Sequence, residues 1–218
     1  MKIATKRRPG RPAHAEGNAD TRSRIIDAAV LCFGRSGFAE ATNRAIARQA
    51  DVTSASLYHY FDSKAALYRA ALREVTAALV EAYRAACREA PDASSMEQLS
   101  LGLEKVIELS RRRPGLMRFA SASASEIERN ADLDWLDETD AAAFPDFFRD
   151  LLKRAHQRGE LAPGIDIETA VKVLLACVTG LAALHGTLRN EQEFAAVLRT
   201  FEQLLRGGFA QSPPAASY

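Results

Sequence analysis

Thr42–Lys64, TNRAIARQADVTSASLYHYFDSK, holds two short helical patterns divided by a tight turn. Thr42 is placed to cap the first, which runs to Ala50 and turns Ile46, Ala47 and Ala50 to one apolar face. Asp51 and Val52 interrupt it. Thr53 offers a hydroxyl to cap a second helix over residues 54–60, with Leu57 and Phe61 four apart on its inner side. Helices this short do not nucleate alone, so both must pack on something larger. The second leaves Ser54, Ser56, Tyr58 and His59 outside: hydroxyls, a phenol and an imidazole, with no acid among them. Such groups match base edges and phosphate oxygens, and the two helices have the geometry of a helix-turn-helix reader.

The pair Ile46-Ala47, the run Leu57-Tyr58-His59-Tyr60-Phe61 and the opening Asp62-Ser63-Lys64 resemble, at matching spacing, the TetR family of bacterial transcriptional regulators. The resemblance covers roughly the first 70 residues closely and the rest only as a helical layout. Family members often carry Gly where this chain has Ala55, a departure that bears on base preference. The resemblance implies an all-α fold, with an N-terminal three-helix helix-turn-helix domain and a larger C-terminal helical domain for ligand binding and dimerisation. It also implies repression by a homodimer on a palindromic double-stranded operator, relieved when a small molecule moves the two readers apart. On this reading Thr42, Arg44, Thr53, Ser54, Ala55, Ser56, Tyr58, His59 and Lys64 are the DNA-contacting set. Ser54, Ser56 and His59 are expected on bases; Thr42, Tyr58 and Lys64 are expected on phosphates.

Composition agrees with a partner at one end only. The chain's net charge of +1 hides a division: residues 1–70 hold twelve Lys/Arg against six Asp/Glu, and residues 71–218 hold seventeen against twenty-two. A basic end on an acidic remainder points to a polyanion partner, with a solvated basic tail as the plainer alternative. At 47% hydrophobic and 26% charged, the 218 residues suffice for a sizeable core. The longest apolar candidate, Val173–Leu184, is shorter than the roughly 18 residues of a membrane span and contains Thr179 and Gly180. Cys32, Cys87 and Cys177 are scattered and odd in number, which fits a reducing cytoplasm and small buried thiols rather than disulfides or zinc.

Residues 1–19 lack helical period and read as a flexible basic arm. In Arg7-Arg8-Pro9-Gly10-Arg11-Pro12, Pro and Gly hold the chain extended while Arg7, Arg8 and Arg11 suit the narrow minor groove of A·T-rich DNA. Residues 20–66 form the reader domain. Asp20 or Thr21 caps its first helix, Gly37 ends it, and Phe38 drops into the core with Ile26, Phe33, Ile46, Val52, Leu57 and Phe61. Residues 67–210 form the helical ligand-binding and dimerisation domain, with 211–218 a disordered tail. Ser63 caps a long helix to about Glu89, either a lever between ligand and DNA or a plain packing helix. Ser94-x-x-Glu97 is a capping box, Pro114-Gly115 starts a further helix, and residues 132–140 read as an acidic loop. Asp166 and Asn190 cap the last two helices, and no strand pattern occurs.

Those last two helices are apolar on more than one face, so Val178, Leu181, Phe194, Val197, Phe201 and Leu205 are the expected subunit seam, an internal core pair being the alternative. Phe119, Trp135, Phe144, Phe147, Phe148, His156, Cys177 and His185 are candidates to line an apolar ligand pocket, though each type is more often core. The four histidines are far apart and none has ligand spacing; GxSxG, P-loop and strand-linked GxGxxG motifs are missing, so neither an enzyme, a metal nor a cofactor is expected. The alternative function is a helical module whose positive end binds a protein or an anionic surface without ligand control. Basic residues in a Pro/Gly arm and at reader positions, rather than along one amphipathic face, favour DNA.

Overall fold

Six short polar side chains decide where helices begin. In the computed structural model Thr42, Thr53 and Ser63 accept the backbone N–H of Ala45, Ser56 and Ala66 at 3.1, 3.0 and 3.0 Å. Asp166 and Asn190 accept from Thr169 and Glu193 at 2.7 and 2.9 Å. Ser94 and Glu97 form the full capping box, with Glu97 Oε2 accepting the Ser94 N–H at 2.9 Å. Each such bond satisfies a donor that the helix itself cannot.

The structure describes residues 14–133, 138–185, 187–188 and 190–205. Among them are nine α-helices and no strand: α1 His14–Glu40, α2 Asn43–Gln49, α3 Ser54–Tyr60, α4 Lys64–Glu89, α5 Ser95–Arg112, α6 Leu116–Arg129, α7 Glu138–Gln157, α8 Ile167–His185 and α9 Glu191–Leu205. Two boundaries differ from expectation. Helix α1 starts at His14, inside the segment read as an arm, because residues 14–19 include no proline and continue into a strong helical pattern. The acidic stretch is a 3-10 turn at Ala131–Leu133 and, from Glu138, the first turn of α7. Arg7, Arg8, Arg11, Trp135 and the 211–218 tail lie outside the described residues.

Gly37 breaks α1 with φ 76° and ψ 173°, a conformation closed to side chains with a Cβ. The break turns Phe38 inward. Phe38, Phe33, Tyr68 and Phe119 then pack as one aromatic cluster, with centroids 5.0–6.1 Å apart, joining α1, α4 and α6. Reader and C-terminal helices therefore share a continuous buried core that runs from Ile25 to Leu198. Helix α4 is its spine. At 26 residues it is about 39 Å long, with Leu67 and Tyr68 under the reader and Val75, Leu79 and Tyr83 deep in the C-terminal bundle. Arg113 ties α1 to α4 by bonding Asp27 at 2.5 Å and Glu74 at 2.7 Å.

Candidate nucleic-acid interface and effector cavity

Ile46 and Leu57 are fully buried and Phe61 nearly so, which fixes the backs of α2 and α3 against α1 and α4. The turn between them depends on Asp51, the one non-glycine described residue with positive φ, at 54°. Asp tolerates this region better than bulkier residues. Arg24, reaching from α1, donates to the carbonyls of Ala50 at 2.7 Å and Asp51 at 3.0 Å, so two turn carbonyls are satisfied by one guanidinium. Arg22 lies 5.3 Å from the Phe61 ring centroid. The sequence reading missed both arginines, since only the fold brings α1 over the turn.

Outward, Thr42, Arg44, Thr53, Ser54, Ala55, Tyr58 and His59 are exposed and Ser56 is half-buried. All lie on α2, α3 and their caps, so the fold brings this set together on one surface. Asn43 Nδ2 donates to the Tyr58 hydroxyl at 3.0 Å and steadies a phenol that is 52% exposed. Thr42 and Thr53 use an oxygen lone pair as caps and keep a hydroxyl proton to donate. Lys64 has a further role. Its ammonium donates to the carbonyls of Ala39 and Ala41, both at 3.2 Å, and sits 4.5 Å from the Phe38 centroid. It closes the C-terminal end of α1, leaving one N–H for another partner.

A cavity of about 330 Å³ opens between α4, α6, α7 and α8. Its walls are the inner face of α4 (Leu72, Val75, Thr76, Leu79, Tyr83), the small-residue run of α6, and parts of α7 and α8. Of the eight aromatic and polar ligand candidates, Phe144 lines it. Phe119 is core beneath the reader, and Phe147 and Phe148 pack on Tyr83 at 5.6 and 5.4 Å. His156 is exposed, and His185 stacks edge-on with Phe194 at 4.8 Å. Cys177 borders a second, larger cleft of about 710 Å³ between α5, α7 and α8. The α4 stripe and the Ser121–Ser125 run were visible as sequence patterns, but nothing local marked them as walls of a void. Burial pushes the Cys32 thiol up, away from a reactive thiolate. Among the described residues no three His, Cys, Asp or Glu side chains converge as a metal site.

Helix α8 corrects a further expectation. An 18-residue window of it reaches a mean hydropathy of 1.8, enough by length and composition to cross a membrane, and only 22% of that window is buried within the chain. The sequence reading looked for an unbroken apolar run and so undercounted it. Within the expected seam, Leu181 and Phe194 are buried in their own chain, Val178, Val197 and Phe201 are half-buried, and Leu205 is 39% exposed. Helices α8 and α9 present outward Val173, Ala176, Gly180, Ala183, Leu184, Ala196, Thr200, Leu204 and Leu205, among the polar Lys172, Thr179, Arg199 and Gln203.

A helix-turn-helix of this geometry, carried on a helical bundle with an internal cavity, defines a DNA-binding regulator. Residues 25–71 match the family model for bacterial regulatory proteins of the tetR family. Over 181 residues the chain is 27% identical to the transcriptional regulator UidR of Escherichia coli K12, covering 82% of this chain and 89% of UidR. It is 28% identical over 204 residues to SrpR of Pseudomonas putida, covering 86% of each. The solved FadR regulator of Bacillus subtilis in complex with stearoyl-CoA shares the fold at TM-score 0.71 and 21% identity, covering 86% of this chain and 99% of FadR. Residues 25–71 thus carry a DNA-binding domain of the tetR family, and over most of its length the chain is similar to DNA-binding transcriptional regulators.

Proposed function

We propose that this protein is a cytoplasmic, non-enzymatic repressor: a homodimer that holds a palindromic operator and releases it when a small molecule enters the α4–α6–α7–α8 cavity. One observation carries the reading. Helix α4 starts beneath the reader, with Lys64 bonded to the end of α1, and its stretch from Leu72 to Tyr83, about two turns further on, forms one wall of the cavity. A ligand that fits better when α4 tilts therefore acts on the reader through a single stiff element, by its differential affinity for the two positions. Ser54, Ser56 and His59 are the proposed base-reading groups. Thr42, Arg44, Thr53, Tyr58 and the free N–H of Lys64 are proposed for phosphates, with Ala55 allowing close approach. Arg7, Arg8 and Arg11 are proposed to follow the adjoining minor groove.

For the subunit seam we propose the outward face of α8 and α9, which keeps Leu205 of the expected set and adds residues that periodicity did not single out. Val173, Leu184 and Leu204 are 57, 38 and 41% exposed, flanked by alanine and glycine that let a second copy approach closely. FadR of Bacillus subtilis carries stearoyl-CoA, which supports effector control in a bundle of this shape. Selection of bound DNA fragments by the full chain tests the proposal. A palindrome with fixed half-site spacing is expected; fragments sharing only base composition would favour a module without operator specificity.

A further inference from the structure

The larger cleft, about 710 Å³, has walls from Met96 and Leu99 of α5, Leu151 and Leu152 of α7, and Leu174 of α8. Cys177 borders it from α8, and so does Leu205, where α9 ends. Six large apolar or aromatic side chains are exposed among the described residues. Three of them, Ile165, Val173 and Leu205, at 43, 57 and 39%, border this one cleft. Apolar surface gathered in one place marks a site that another apolar group covers. Among the described lining residues the only charges are the carboxylates of Glu160 and Asp166. Arg158 answers Glu160 at 3.7 Å. Asp166 is exposed, and hydrogen bonding from Thr169 holds its carboxyl below the usual range, so it stays charged.

From Leu205 the sequence continues as Arg206-Gly207-Gly208-Phe209-Ala210-Gln211, ahead of Pro213-Pro214. Its chemistry complements the cleft. Arg206 is the only charged side chain in residues 206–218, and Phe209 is the only large apolar one before the prolines. Phe209 stands four residues past a wall residue, a reach of at most about 14 Å, which confines its ring to the neighbourhood of the cleft. Gly207-Gly208 lets the backbone reverse direction without a steric penalty. A space within the range that holds drug-sized ligands, roughly 300–1,000 Å³, takes a benzyl side chain with its neighbours. We propose that residues 206–211 fold back on their own chain, seating Phe209 in this cleft and Arg206 beside Asp166. The walls on α5 and α7 lie outside the α8–α9 face proposed for the second subunit, so the chain's own segment, rather than a partner copy, is their occupant. Val173 and Leu205 belong both to the cleft and to that face, and a seated Phe209 therefore steadies one end of the seam.

Cys177 on the cleft wall supplies the test. In the full chain carrying Cys32→Ser and Cys87→Ser, Phe209→Cys is oxidised with diamide and the linked peptides are identified by mass spectrometry. Ser217→Cys, beyond the prolines, measures random collision on the same tether. A disulfide between Cys177 and the new thiol at position 209 is expected within one chain, running as a single-chain band on a non-reducing gel. It should form at least about tenfold faster than the link from position 217, because docking raises the local concentration of the thiol. Adding Arg206→Gln should slow the link about threefold, the scale of one exposed ion pair, and an unchanged rate overturns the contact with Asp166. With the natural cysteines in place, Phe209→Ala should raise the emission of the uncharged dye Nile red and lower the melting temperature by about 2–6 °C, as expected for loss of a buried ring. Equal rates at positions 209 and 217, linkage only between two chains, or unaltered dye emission and melting temperature in Phe209→Ala each overturn the seating of Phe209.

Discussion

Replacing Lys64 by Met separates two functions that share one ammonium. The methionine keeps an apolar stem over Phe38 but removes both bonds to the carbonyls of Ala39 and Ala41 and the charge 4.5 Å from the Phe38 ring. A hydrogen bond involving a charged group contributes about 1.5 kcal/mol or more, and an exposed cation–π contact about 0.5–1 kcal/mol. Lys64 is half-exposed and both bonds are 3.2 Å long, so the lower ends apply and water replaces part of the loss. A net destabilisation of about 2 kcal/mol follows, which for a chain of this size lowers Tm by roughly 4–8 °C. Thermal melting followed by circular dichroism reads that term. Operator affinity between low and moderate salt, measured well below Tm, reads the other: the salt slope should fall by about 0.9 per subunit, about 1.8 for the dimer, if the third N–H meets a phosphate. An unchanged Tm would refute the structural role of the ammonium. An unchanged slope with lowered Tm would leave Lys64 as a structural brace alone.

Four further outcomes are expected. Ser56→Ala or His59→Ala should change which base is selected at one operator position, at about 1–3 kcal/mol per lost contact, while uniform loss across sequences would remove them from base readout. Val173→Glu or Leu184→Glu should give a helical monomer by sedimentation that binds operator weakly, losing the avidity of two linked half-sites; a dimer would move the seam elsewhere. Leu181→Glu, by contrast, should unfold the chain, since Leu181 is buried in its own protomer. Gly102→Ala should lower stability by about 1–3 kcal/mol, because the added Cβ would stand 2.2 Å from the Tyr83 ring, and an unchanged melting temperature would show that the ring gives way freely.

What the sequence displayed clearly was local. A cap needs one oxygen and a backbone N–H three residues on, so Thr42, Thr53, Ser63, Asp166 and Asn190 could be read without knowing what surrounds them. Outward hydroxyls on a seven-residue helix with buried Leu57 were legible for the same reason. Cavity walls were not. Large aromatics suggest a pocket by composition, yet Phe119, Phe147 and Phe148 satisfy one another as core, and the void is left where α6 carries small residues opposite α4. Nor could periodicity tell which face of α8 meets its own chain. A helix apolar on two sides gives the same pattern whether Leu181 or Val173 is innermost, and the packing of α6 and α7 decides it.

Glu126 accepts the Phe38 N–H at 3.1 Å across 88 residues of chain and fills the space beside Gly37 that a Cβ would occupy. The reader is consequently not an exchangeable cassette. A chimera that takes residues 20–66 from a relative keeps the host's positions 119 and 126, which were matched to a different bend after the first helix. Such grafts should succeed in proportion to agreement at those two distant sites rather than to overall identity within the graft. Divergence of operator preference in this lineage is then expected by substitution on the outer face of α3, where exchange leaves the shared core untouched.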